Sequence, residues 1–129
     1  LPKIVSVYRK GWNNENNFDA NSALFISGGK NKTIYYINCD NKYLINEIMR
    51  KPETKLVFTK CWEIALTLMG MAKMNAYEKQ SKDNEYDIEN RIAEETKDYS
   101  PILIPLVIRI GNLASYHEHI SKNHFRNAA

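Results

Sequence analysis

The stretch Thr33–Ile48, TIYYINCDNKYLINEI, passes from the spacing of a β-strand to that of an α-helix within a few residues. Its first half alternates and is rich in β-branched and aromatic residues, which predicts a strand that ends at Asn38. The apolar residues of LINEI then recur at helical spacing, and Asp40 or Asn41 is the expected N-cap of that helix. The quartet Asn38–Asn41 at this junction is therefore either a reactive site or a turn.

Two more strands are predicted on the N-terminal side of the junction. Ile4–Arg9 is β-branched and alternates, as strands do. Ala23–Ser27 and Thr33–Asn38 flank GGKNK, a glycine-containing loop of about five residues, which predicts an antiparallel hairpin. Both faces of Thr33–Asn38 carry bulky side chains, so this segment is the expected central strand. Lys10–Ser22, between the first strand and the hairpin, is rich in Asn and Gly and predicts an irregular loop.

Helices are predicted after the strands. The first runs to about Lys51 and is ended by Pro52, which cannot continue a helix. The second begins near Glu53–Thr59 and runs to about Lys79. It is apolar almost all round, which predicts a helix buried centrally among the other elements. The segment EYDIENRIAEETKDY, residues 85–99, predicts a third, exposed helix.

The last segment, SPILIPLVIRIGNLASYHEHISKNH, allows two interpretations. Ser100 followed by Pro101 is a good helix start, and Pro105 then lies near the first turn, where a lost backbone hydrogen bond costs least. The β-branched run Ile102–Ile110 also suits an extended segment, but we favour the helix. The sequence thus predicts one α+β domain over residues 1–129. A small antiparallel sheet of about three N-terminal strands packs on about four helices, one of them central and buried.

Composition and charge exclude several classes of protein. The chain carries 18 basic and 15 acidic side chains, a net charge of +3, which is far from the basic surface of a dedicated nucleic-acid binder. Cys39 and Cys61 lack metal-clip or redox-motif spacing, which favours a reducing, cytoplasmic setting. The longest nearly apolar run, Cys61–Met74, is shorter than the ~20 residues of a membrane-spanning helix, so no membrane partner is expected.

The common catalytic motifs are missing from the sequence. There is no G-x-S-x-G or P-loop spacing, and Cys39 follows the alternation of the strand, which predicts a packing residue rather than a nucleophile. His117 and His124 share a helix face, with Glu118 next to the first, and a metal-dependent hydrolase is one alternative. Their spacing differs from that of zinc proteases, so we favour a solvated helix end and assign no metal, cofactor or catalytic residue.

A group of basic and aromatic residues near the sheet leaves nucleic-acid binding as another alternative. Rings next to cations bind single-stranded nucleic acid, and the cations here are Arg9, Lys10, Lys30 and Lys32. No RNA-recognition motif accompanies them. Aromatic residues in strands usually pack across the sheet, so this alternative is not favoured.

The order of four segments resembles a region of large bacterial proteins. The segments are FDANSALFISGG, YYINCDNKYLINEIM, FTKCWEIALTLMGMA and YSPILIPLVIRIGNL. The resemblance is to a C-terminal accessory region linked to subtilase-type serine protease domains, or to ATPase domains of the gyrase, histidine-kinase and MutL superfamily. It implies that the protease triad or nucleotide site lies outside these 129 residues, which then form a non-catalytic accessory module.

We therefore expect a protein–protein interaction or assembly module of a larger cytoplasmic bacterial protein. Its partner is expected to be another protein or other domains of the same chain. The sequence begins at Leu1 rather than at methionine, which agrees with a fragment of a longer protein. Trp12, Phe18 and Tyr43 are the expected exposed contact residues, because aromatic rings bury a large area at little entropic cost.

Overall fold

The computed structural model describes residues 1–28, 33–80 and 85–128, with side chains except at residues 85, 86, 114, 115, 117–119 and 121–128. It confirms the α+β class. The elements in chain order are β1 (Lys3–Val7), β2 (Leu24–Ser27), β3 (Ile34–Asn38), α1 (Lys42–Arg50), α2 (Lys55–Gln80) and α3 (Glu85–Ala128). Short 3-10 turns occupy Arg9–Gly11 and Pro52–Thr54.

The sheet is mixed, with β3 in the centre and β1 and β2 at its sides. β2 and β3 form the predicted antiparallel hairpin, in which Leu24 lies opposite Ile37. β1 runs parallel to β3, with Val7 opposite Asn38, so the prediction of a wholly antiparallel sheet is wrong. The reason is the crossover segment, residues 8–23, which passes over the end of β3 and returns the chain to the sheet on its other side.

β3 is the central strand, as predicted, and its two faces differ in burial. Tyr35 and Ile37 are buried in the core, whereas the residues that alternate with them before Asn38 are half-buried. The hairpin loop begins at Gly28, whose φ of 106° is the left-handed conformation that glycine adopts at little cost. The rest of that loop, residues 29–32, lies outside the described residues.

α2 is buried along one stripe and not all round, so the prediction of a central buried helix is wrong in that respect. The stripe consists of Phe58, Trp62, Leu66 and Gly70. The exposed apolar residues of the helix are Leu56, Ile64 and Leu68, with exposures of 72 %, 60 % and 60 %. The sheet and α3 cover only part of the helix surface, and an even distribution of apolar residues cannot indicate which part.

Gly70 brings α2 against the sheet. A Cβ atom there would lie 2.7 Å from Tyr35 Cε2 and 2.9 Å from Leu24 Cδ2. Real Cβ atoms do not approach so closely, so the glycine is required by the packing of helix on sheet.

α3 is one continuous helix where two were predicted, so the described part of the chain has three α-helices. Pro101 and Pro105 lie inside it rather than at a helix start. Each proline removes one backbone hydrogen bond, and burial of Leu103, Ile104 and Val107 between and just beyond them offsets that cost. A local signal for a helix start is therefore overridden by tertiary packing.

Candidate interaction surface

Asn38 ties the crossover segment to the end of β3. Its side chain is fully buried, and Nδ2 donates to the carbonyl oxygens of Asp19 and Ser22, both at 2.9 Å. Its Oδ1 accepts from Trp12 Nε1 at 3.0 Å and from the Asp40 amide at 3.1 Å. These four hydrogen bonds use the full capacity of the carboxamide, so Asn38 has no group free for a substrate.

Asn41 and Asp40 have separate structural roles. Asn41 Oδ1 accepts from the amides of Tyr43 and Leu44, which makes Asn41 the N-cap of α1 and confirms one of the two predicted caps. Asp40 is not the cap, because its Oδ2 accepts from the Arg9 amide at 2.6 Å. It holds the start of the crossover segment instead.

Cys39 is a packing residue, as the alternation predicts. The thiol lies in the core at 2 % exposure, and its Sγ is 3.7 Å from Glu63 Oε1. Burial and then the negative charge of Glu63 raise the pKa of Cys39 to about 12. The nucleophilic thiolate is therefore almost absent at neutral pH, and the quartet Asn38–Asn41 is a structural turn and not a reactive site.

A charged network aligns α2 with α3. Glu95 accepts a short hydrogen bond from Lys73, another from Tyr77 at 2.7 Å and a third from Arg91 at 2.9 Å. Burial acts to raise the pKa of Glu95, but these hydrogen bonds outweigh it and hold the pKa below its usual range. Burial acts to lower the pKa of Lys73, and its hydrogen bonds to Glu95 and Tyr77 raise it instead. Both groups stay charged and act as a clamp between the helices.

An open groove of about 850 Å³ runs between α1 and α3. Tyr43 and Arg50 contribute to its α1 wall, and Pro105, Arg109 and Tyr116 contribute to its α3 wall. Aromatic residues and arginine are enriched in protein interfaces, whereas lysine and glutamate are depleted there. The groove thus combines two tyrosines and two arginines with one glutamate.

Next to the groove lies a larger surface, which we call the apolar face. Its members all lie on α3, where they recur every three or four residues, and Leu113 and Tyr116 also line the groove. Ile64 and Leu68 of α2 are exposed as well, but at 100° per residue they are turned roughly 140–180° away from Lys73, which contacts α3, so they are not part of this face. The members of the apolar face are Tyr99, Ile102, Leu106, Ile110, Leu113, Tyr116 and Ile120, each between 39 % and 70 % exposed.

The three residues predicted to contact a partner have different environments. Phe18 is 8 % exposed, so the expectation that it is exposed is wrong. Trp12 is half-buried, donates to Asn38 and lies 5.2 Å from the Arg9 guanidinium. Tyr43 is half-buried and lines the groove. Only Tyr43 is thus placed beside the apolar face.

The residues of the nucleic-acid alternative are only partly described. Arg9 and Lys10 are exposed in the turn after β1, whereas Lys30 and Lys32 lie outside the described residues. Tyr35 is buried under α2 and Tyr36 pairs with Phe25 at 6.1 Å, so these rings pack within the fold. Nucleic-acid binding stays a prediction.

The metal alternative also stays a prediction. The side chains of His117, Glu118 and His124 lie outside the described part of α3. Elsewhere in the described chain, no three His, Cys, Asp or Glu side chains are close enough together to hold a metal ion.

Comparison with protein-family models, curated proteins and solved structures finds no match to this chain. Within the described ranges, no helix combines the length and apolar character needed to cross a membrane. The site is thus defined by geometry alone. Sequence reasoning missed the apolar face, although one signal was present: Tyr99, Leu106, Leu113 and Ile120 are spaced seven residues apart.

Proposed function

We propose that this chain is a non-catalytic assembly module that binds a polypeptide through the apolar face and the adjoining groove. The observation that carries the proposal is the apolar face itself. Seven large apolar or aromatic side chains are exposed along one side of α3, although the same helix buries a core on another side. Contiguous exposed apolar surface of this size on a folded protein marks an interaction site.

The area supports this assignment. With 39–70 % of each of the seven residues exposed, the face presents roughly 700 Å² of accessible surface, close to the ~800 Å² that each partner contributes to a standard interface. The chemistry of the quartet Asn38–Asn41 points in the same direction, because its polar groups are used by the fold. The proposed setting is a larger bacterial protein, in which other domains carry any catalytic activity.

A photo-crosslinking experiment tests the proposal. The full-length protein is produced in its native host with a benzophenone amino acid at position 106, within the apolar face. The matched control places the same residue at exposed position 90, roughly 160° around α3 from Leu106. We expect irradiation to give discrete protein adducts from position 106 and few from position 90. Equal labelling at the two positions, or no adducts, would refute the proposed function.

A further inference from the structure

The exposed residues of α3 have a spacing that can pair with itself in reverse. Tyr99, Leu106, Leu113 and Ile120 are seven residues apart, and Ile102, Ile110 and Tyr116 fill the intervals. The midpoint of this series lies between Arg109 and Ile110. A second α3 running antiparallel about that midpoint would set Leu106 opposite Leu113 and Tyr99 opposite Ile120.

The lengths of the two helices favour the same arrangement. Phe58 lies against Gly111 and Lys73 bonds to Glu95, so α2 and α3 are antiparallel. Since α2 begins at Lys55, the part of α3 beyond about residue 114 extends roughly 20 Å past it. In an antiparallel pair, this extension would lie over the body of the other copy and cover its Tyr99.

We infer that the occupant of the apolar face is a second copy of this chain, bound in an antiparallel twofold dimer centred near Ile110. The inference rests on the proposed function and names its partner. A twofold interface requires one patch that is complementary to itself, and the reversed spacing on α3 meets that condition. The face is also of suitable size, because roughly 700 Å² from each copy is close to the ~800 Å² that each partner contributes to a standard interface.

Arg109 lies beside the twofold axis and is the charged residue that the dimer must accommodate. At 100° per residue it lies between Tyr116 and Ile102, within the apolar face, and it also lines the groove together with Glu47. The long side chain of Arg109 can therefore reach into the groove, where its guanidinium keeps contact with water and with the Glu47 carboxylate.

Sedimentation equilibrium of the purified full chain tests the inference through a charge exchange. The wild-type protein is expected to sediment at twice its mass of 15.0 kDa. Leu106→Glu alone and Leu113→Lys alone should each weaken the dimer roughly 100-fold, because each buries an unpaired charge. The double variant L106E/L113K should recover to within about tenfold of wild type, since an antiparallel pair sets Glu opposite Lys twice.

The control and the contradicting outcomes are distinct. Leu56→Glu changes a leucine that is 72 % exposed and lies outside the apolar face, and it should leave the dimer intact. Circular dichroism of each variant shows whether it is folded. A monomeric wild-type chain overturns the inference. So does a double variant that dimerises as weakly as the single variants, which is the result expected of a parallel dimer, because a parallel pair sets like charges together. A monomeric chain that still gives heterologous adducts from position 106 leaves the proposed function standing and removes only the self-association.

Discussion

Removal of the Asn38 carboxamide is expected to release the crossover segment from the sheet. Its four side-chain hydrogen bonds join Asp19, Ser22, Trp12 and Asp40 in a site with no exposed surface at Asn38. Each of these hydrogen bonds contributes about 1 kcal/mol, and Asn38→Ala leaves the four partner groups without the carboxamide. We therefore expect a loss of about 4 kcal/mol in the free energy of unfolding. This is a large part of the 5–15 kcal/mol of a typical domain.

Asn38→Asp has nearly the same shape and tests whether the hydrogen bonds or the volume matter. It places a carboxylate oxygen where Nδ2 now lies 2.9 Å from two carbonyl oxygens. The buried charge faces acceptors, so at pH 7 this variant should be less stable than Asn38→Ala. The difference in stability between the two variants should narrow as the pH falls, because a protonated carboxyl can donate one hydrogen bond to these carbonyl oxygens.

Urea unfolding followed by tryptophan fluorescence measures both effects. The two indoles, Trp12 and Trp62, donate to the side chain and to the carbonyl of Asn38, so they report on this region directly. Asn14→Ala, an exposed asparagine in the same segment, is the control and should change the free energy by less than about 0.5 kcal/mol. If Asn38→Ala cost under about 1 kcal/mol, the crossover segment would be held by other contacts and our reasoning would be wrong.

Three further predictions concern the core and the helix pair. Because the fold lowers the pKa of Glu95, the ionised carboxylate stabilises the protein at pH 7, and this stabilisation is lost as the pH falls through the lowered pKa. Wild type should therefore lose more free energy of unfolding than Glu95→Gln between pH 7 and pH 3 in denaturant titrations. Equal losses in the two proteins would contradict this. Cys39, with its pKa raised to about 12, should resist iodoacetamide in the native protein while the half-buried Cys61 reacts, as peptide mass mapping would show; earlier labelling of Cys39 would argue against its burial. Gly70→Ala should lower the melting temperature, because a clash of about 1–3 kcal/mol exceeds a helix-propensity gain of about 1 kcal/mol; a more stable variant would show that the sheet yields.

The sequence predicts those parts of the fold that depend on neighbouring residues. The hairpin follows from Gly28 and its alternating flanks, and the start of α1 follows from Asn41 next to a helical stripe. The direction of β1 could not be predicted in this way. It depends on where the crossover segment lies, and that is decided by hydrogen bonds between Asn38 and residues far from it in sequence.

The candidate site was harder to predict than the fold, because its residues look like core in the sequence. Leu106 and Val107 are neighbouring apolar residues of α3, yet one is 53 % exposed and the other is fully buried. Only the placement of the other elements around α3 separates them. On α3, Pro101 and Pro105 indicated a helix start, and so concealed the seven-residue spacing that continues through them.

The parallel pairing of β1 with β3 has a consequence for synthesis on the ribosome. Lys3 emerges about 30 residues before its partner in the sheet, Ile34, so β1 remains without its ladder until the whole hairpin has left the exit tunnel. Even then, the underside of the sheet at Tyr35 and Ile37 stays uncovered until α2 and α3 have been translated. The nascent chain thus displays an apolar sheet for several seconds at ordinary elongation rates of about 5–20 residues per second, and this is the interval in which a chaperone would bind it.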